Sequence, residues 1–249
     1  MIDRYLLIQI ITFAFAVVGC EFLERRYPGF AINKKKGLLL NFLAVLIIIF
    51  IGEHVKKAVA AGYDSVNLNT MLAGNWLSRL PSIPKIFLAI SLADFSLYWV
   101  HRAMHGSFLW RTHKFHHSIV EIWWLAGSRT SIIHLFLFAF PQVFIGYYLL
   151  QLTPMEAAIV LSFSILVNIW LHLNVWFRLG PFEWLFITPN THRVHHGSRG
   201  LMHKNLGFVF TFWDRMFRTY ASPQKFERNF DIYPVPAEAK RLPRMIVGI

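Results

Sequence analysis

Five long apolar runs constrain this chain more than any other feature. They cover residues 5–20 (YLLIQIITFAFAVVGC), 37–52 (GLLLNFLAVLIIIFIG), 86–100, 130–155 and 157–171. A helix that crosses a bilayer needs about 20 mostly apolar residues, range roughly 17–25. The pattern therefore predicts five spanning or nearly spanning helices, two of which (86–100 and 157–171) run directly into His101 and His172. Composition agrees, because a chain that is 55% hydrophobic with 24 Phe lacks the polar residues to cover a soluble globule. The fold class expected is all-α: a polytopic integral membrane bundle carrying a helical, histidine-rich domain on its cytoplasmic face.

The first run is flanked by Arg4 and by Glu21, Glu24, Arg25 and Arg26, with no small-residue cleavage pattern, so it reads as a membrane anchor and not as a removed signal peptide. With alternating spans, segments 23–36, 101–129 and 174–249 share one side and hold 20 of the 25 Lys and Arg residues. Such asymmetry marks a cytoplasmic face. It places the chain in the inner membrane of a bacterial cell or the endoplasmic reticulum of a eukaryotic one. The formal net charge of +12 follows from that face, which would attract anionic headgroups, and requires no nucleic acid. Cys20 is the sole cysteine, so no intrachain disulfide can form.

Three regions are expected: N-terminal membrane helices and a loop (1–85), a catalytic region (86–222) and a C-terminal tail (223–249). Segment 53–83 is mixed in polarity and reads as a loop with a short interfacial helix. The four residues Gln151 to Pro154 make a tight turn between two apolar runs, returning the chain to the side it left.

That return matters because of the histidines. Five of the twelve fall in HRAMHGSFLWRTHKFHH, residues 101–117, and three more in HRVHH, residues 192–196, after a 74-residue excursion through the hairpin. His101 and His105, then His113, His116 and His117, then His192, His195 and His196 are spaced so that residues three and four apart share a helix face. His172, in HLN with Asn174, lies on the same side. Nine imidazoles are too many for one ion, since a structural zinc takes four ligands and a catalytic zinc about three; two metals fit better. Ligand type alone leaves Zn, Cu, Fe and Ni open, and triplets within a turn do not suit bis-imidazole haem. Asp94, Tyr98, His101 and His105 form one stripe, so Asp94, an acidic group inside an apolar run, is expected to accept a ring N–H from a ligand histidine. His54 is expected to be solvated, His203 to be surface or to support the site, and His134 to be a packing partner or a ligand.

DFSLYWVHRAMH, LWRTHKFHHS, HLN, FITPNTHRVHHG and KNLGFVFTFWDRMFRTY together resemble the membrane-bound fatty acid hydroxylase and sterol desaturase superfamily, over about residues 92–220. The resemblance implies a non-haem di-iron centre that uses O2 and electrons to attack unactivated C–H bonds of lipids. Carried over residue by residue, it implies His101, His105, His113, His116, His117, His172, His192, His195 and His196 as iron ligands, with Asn174 and Asn205 as nearby polar residues. The chain departs from the pattern twice. A histidine expected two residues beyond Arg129 is Ser131, with His134 three further on, and Arg218 in FRTY stands where Gly is common.

Breaking an alkyl C–H bond needs an oxidant that side chains do not supply, so the protein would hold metal and position substrate. No separate general base is expected, and the substrate should occupy an apolar tunnel open to the bilayer. The sequence carries no nicotinamide, flavin or haem-attachment motif, so electrons are expected from a ferredoxin- or cytochrome-type partner. Hydroxylation is favoured over desaturation; the lipid itself is not legible. Two other readings compete: a zinc-dependent membrane hydrolase, and a non-catalytic metal-binding membrane protein.

Overall fold

The computed structural model describes residues 4–197, 200–223 and 241–249. Its helices are α1 (Arg4–Arg26), α2 (Leu38–Asp64), α3 (Leu68–Leu72), α4 (Ser82–Met104), α5 (Trp110–His113), α6 (Ile132–Val143), α7 (Pro154–Leu171), α8 (Pro189–His195), α9 (Thr211–Met216) and α10 (Leu242–Val247). Among the described residues the only extended pairings are two isolated bridges, Pro28 with Val175 and Phe186 with Phe210.

Four helices among the described residues are long and apolar enough to cross a membrane: α2, α4, α6 with its continuation to Leu149, and α7. Even the shortest, at 18 residues, reaches about 27 Å at 1.5 Å per residue, close to a hydrocarbon core. Leu39, Phe50, Ile83 and Phe87 are exposed on them, as side chains facing lipid should be. The first apolar run is helical as well, 23 residues long, and lies along α7.

Lipid is as apolar as leucine, so burial from water does not press these helices together; small residues that let backbones approach do. Ala89 of α4, Ala139 of α6 and Ala158 of α7 are buried in this way. α2 packs on α6, and α4 packs on both α6 and α7. α2 runs three turns beyond the apolar run that predicted it, through Glu53 to Asp64, because Val55 and Val59 continue the buried stripe against Ala139. Much of the expected loop 53–83 is therefore helix. The predicted turn forms as expected: Pro154 opens α7, and Thr153 and Glu156 cap each other's backbone in a capping box.

Most of the expected tail lies outside the described residues, but its end is α10, whose Met245 is buried with Ala44 and Phe115. α10 thus packs beneath the second histidine cluster, through Phe115.

Candidate metal centre

Each histidine cluster is held by local structure that the sequence supports. His101 lies in the last turn of α4 and His105 caps its end. His113 ends the four-residue α5, while His116 and His117 form a single 3-10 turn. His172 caps the C-terminus of α7. The third cluster sits on α8, whose start is set by Thr188, a side-chain cap for the Thr191 amide, and by Pro189 in the first turn.

These nine side chains converge. His101, His105, His113, His117 and His195 form one group, and His116, His172, His192 and His196 a second; within each group the candidate ligand nitrogens lie within 4.8 Å of one another, and all nine residues are buried. The division cuts across the clusters. In both HKFHH and HRVHH the i, i+4 pair stays together and the remaining histidine joins the other group. The groups adjoin, with the His117 and His196 ring centroids 4.7 Å apart.

Protonation within the groups follows from the backbone. A carbonyl can only accept, so Nδ1 of His101, His116, His172 and His195 must donate to the carbonyls of Leu206, Arg129, Asn168 and Lys204, at 2.7–3.1 Å. Their Nε2 atoms are then bare lone pairs. Yet Nε2 of His101 faces Nε2 of His113 at 3.0 Å, and Nε2 of His192 lies 3.2 Å from Nε2 of both His172 and His196. One proton can bridge only one such contact. In addition both ring nitrogens of His105, and Nε2 of His117 and His195, are buried without a hydrogen-bond partner. Burial, and then repulsion among neighbouring rings, hold His113, His116, His117, His192, His195 and His196 well below the ordinary imidazole value of 6.5, and burial with the nearby Arg193 charge holds His172 at about 4 despite its bond to the Asn168 carbonyl. Neutral, inward-facing, unpartnered nitrogens are a donor set that cations satisfy. The residues present fit two metal ions, one to each group.

The supporting residues act less directly than the sequence suggested. Asp94 meets no histidine. Its carboxylate accepts the amides of Phe208, Val209 and Phe210 and the Trp213 indole N–H, at 2.9–3.1 Å. Asp214, also buried, accepts the Leu206 and Gly207 amides and the Thr219 hydroxyl. The two carboxylates fix the loop 206–210, and that loop's Leu206 carbonyl orients His101. Asp94 thus acts on the ligand through backbone, because the stripe shared with His101 also faces this loop. Asn205, at φ 54, ties α8 to the segment that follows α9 through the Thr191 and Ala221 carbonyls. Asn174 donates to the Phe30 carbonyl and accepts from Arg193, the residue beside His192.

Other positions resolve the expected ambiguities. Ser131 caps α6, accepting the His134 amide and donating to the Thr112 carbonyl. His134 belongs to neither group; its Nδ1 lies 3.4 Å from Nδ1 of His113, so it can take the proton of a ring whose Nε2 points inward. His203 is exposed, its ring 5.7 Å from that of His105. His54 is exposed and bonded to its own helix at the Phe50 carbonyl. Arg218 adopts φ 60, a left-handed conformation that glycine takes without strain.

Three residues that anchor the site were not singled out from sequence. Glu24 reaches from α1 to the Trp124 and Asn174 amides. Arg129, fully buried, donates to Asn41, Ser118 and the Gly37 carbonyl. Gly127 leaves room for His172: a Cβ there would lie 2.4 Å from its Nδ1. Charge next to apolar sequence was the available signal for Glu24 and Arg129; Gly127 offered none.

Two adjoining cavities of about 220 and 150 Å³ lie between α4, α6 and α7, sharing Ala93, Gln142, Val160 and Ser164. The inner one ends on Phe138 and Phe208, whose rings lie 4.3 Å from His134 and 5.2 Å from His101. A mostly apolar passage thus runs between the membrane helices and stops at these two rings, which separate it from His134 and from His101 of the five-histidine group.

Comparison with known proteins agrees with this arrangement. The fatty acid hydroxylase family model matches residues 86–219. The human alkylglycerol monooxygenase is 34% identical over 129 residues, covering 51% of this chain and 28% of that protein. The ornithine lipid hydroxylase OlsE of Rhizobium tropici is 32% identical over 155 residues, 60% of this chain and 46% of the relative, and human lathosterol oxidase is 29% identical over 153 residues, 58% and 48%. The chain therefore spans less than half the length of each of these relatives. No solved structure gave a significant match.

Proposed function

The chain belongs to the fatty acid hydroxylase family, and on that premise we propose that it is an O2-dependent membrane oxygenase that hydroxylates an unactivated C–H bond of a lipid. The observation that carries the reading is the meeting of two inward-facing histidine groups with an apolar passage from the membrane helices. The names of the relatives, an alkylglycerol monooxygenase, an ornithine lipid hydroxylase and a lathosterol oxidase, all specify oxidative chemistry on lipids.

In this reading His101, His105, His113, His117 and His195 hold one iron, and His116, His172, His192 and His196 the other. When bound, the iron pair supplies the O2 activation that side chains cannot. The protein's own part is positional. Carbonyls of Leu206, Arg129, Asn168 and Lys204 keep the Nδ1 protons in place and leave Nε2 free to bind. Asp94 and Asp214 stiffen the loop beneath His101. The passage lets a lipid chain approach from the bilayer without crossing water, and Phe138 and Phe208 form its inner wall beside the histidines. No side chain is assigned as a general base. The histidine groups face the cytoplasm, and a ferredoxin- or cytochrome-type protein delivers electrons.

The test joins metal analysis to isotope labelling. Protein purified from metal-controlled cells is expected to hold two iron ions and to place an atom of labelled O2 in its lipid product, and His113→Ala should abolish that product. Full zinc occupancy with turnover independent of O2 would replace this reading with a hydrolase.

A further inference from the structure

The centre has an opening of its own. Apart from the apolar passage, which stops at Phe138 and Phe208, a cleft of about 550 Å³ reaches the centre past the end of α4, lined by Arg102, His105, His203, Lys204 and Arg218 among others. At its floor is His105, a member of the five-histidine group whose two ring nitrogens have no hydrogen-bond partner. His203 lies against that ring and is itself exposed. The position along α4 separates the two openings. Leu97 is the last α4 residue to line the passage and Arg102 the first to line the cleft, five residues and about 7.5 Å apart at 1.5 Å per residue.

The cleft's cations do not converge as a phosphate cage would. Arg102 is tethered to the Tyr98 hydroxyl and lies over the Trp99 ring, and Lys204 donates to the Arg218 carbonyl. They line the cleft separately instead, and Phe108, two residues beyond the lining residue Gly106, is 89% exposed. Dispersed positive charge in a cleft, with an exposed aromatic close by in sequence, suits a protein surface, since charge steers encounter and an aromatic anchors it.

We propose that this cleft is the docking surface for an acidic one-electron carrier protein, and that electrons enter the five-histidine group past His203 and His105. The proposal rests on the oxygenase reading, which needs an outside reductant: R–H, O2, two electrons and two protons give R–OH and water. Two reduced carriers each surrender one electron per turnover and leave oxidised, and the protons come from solvent. Redox encounters of this kind are brief and use small interfaces.

The test uses the full chain in nanodiscs and a ferredoxin of net negative charge as probe. Arg102→Gln combined with Arg218→Gly removes two rim charges, the second at a position where glycine suits the backbone. The wild type is expected to bind the ferredoxin with an association rate that falls with salt, and the double variant to associate about 10-fold more slowly at low salt. Phe108→Ser should speed dissociation. Melting temperature and metal content, measured on the same samples, should match the wild type. Unchanged association in the double variant overturns the proposal, as does a loss of binding to anionic vesicles with ferredoxin binding intact, which would make the cleft a lipid surface. Failure of the oxygenase reading would look different: no hydroxylated product from the wild type even with a small chemical reductant, whatever the ferredoxin kinetics.

Discussion

Gly127→Ala should empty half of the centre. The added methyl would lie 2.4 Å from Nδ1 of His172 and 2.8 and 2.9 Å from two ring carbons, where ordinary contact begins near 3.4 Å. The ring must therefore retreat by about 1 Å, twice the tolerance of about 0.5 Å within which a ligand constellation stays productive. It cannot do so freely, because Nδ1 is held at 2.8 Å by the Asn168 carbonyl of its own helix. The substitution removes no ligand and adds no charge, so its effect is positional. Misplacement on this scale costs on the order of 100-fold in rate. Elemental analysis of purified protein should show metal falling from two ions per chain to one, with the five-histidine group still loaded. Gly62→Ala, on α2 with nothing within 4 Å of the new methyl, is the control and should leave both ions in place. Two ions and full turnover in Gly127→Ala would refute the assignment of His172 and its group.

Asp94→Asn should destabilise the protein by about 2–4 kcal/mol, because an amide nitrogen would face donors now received by a carboxylate oxygen; a lowered melting temperature with reduced metal in the five-histidine group checks it, and an unchanged melt refutes it. His134→Ala removes the acceptor beside Nδ1 of His113 and should weaken metal binding by about 10–100-fold while leaving the other group loaded, measured by chelator competition. The pH dependence has a fixed sign. The extramembrane histidines are held neutral by burial, below their unfolded value of 6.5, so their stabilising contribution is intact above about pH 6.5 and lost as pH falls. One unit below that value each protonation of the unfolded chain costs the fold up to about 1.4 kcal/mol, and metal release should follow the same direction. Denaturation midpoints should be flat from about pH 7.5 upward and drop towards about pH 5.5; a rise on acidification would contradict the assignment.

Much of the candidate site could be read along the chain because histidine is rarely concentrated without cause, and its i, i+3 and i+4 spacing announces a shared face. The hairpin turn at Gln151–Pro154 was equally plain, since proline and a capping box act locally. Long-range partners were not. Asp94 sits on the same stripe as His101, yet a stripe says nothing about what packs on it, and the occupant is the backbone of Phe208–Phe210. Glu24 finds its amides 100 and 150 residues away. The helix α2 outran its apolar run because helix-forming residues and a buried valine stripe continue where hydropathy stops.

By itself, then, the sequence determined that the chain builds apolar helices of spanning length and returns two histidine-bearing stretches to one side, because hydropathy and residue spacing are properties of neighbours in the chain. Only the tertiary structure decided that these histidines divide five and four, with each of two clusters shared between the groups. That division depends on where α4, α7 and α8 bring separate stretches of backbone together, and each carbonyl that fixes a ring's proton belongs to whichever segment the fold has placed beside it.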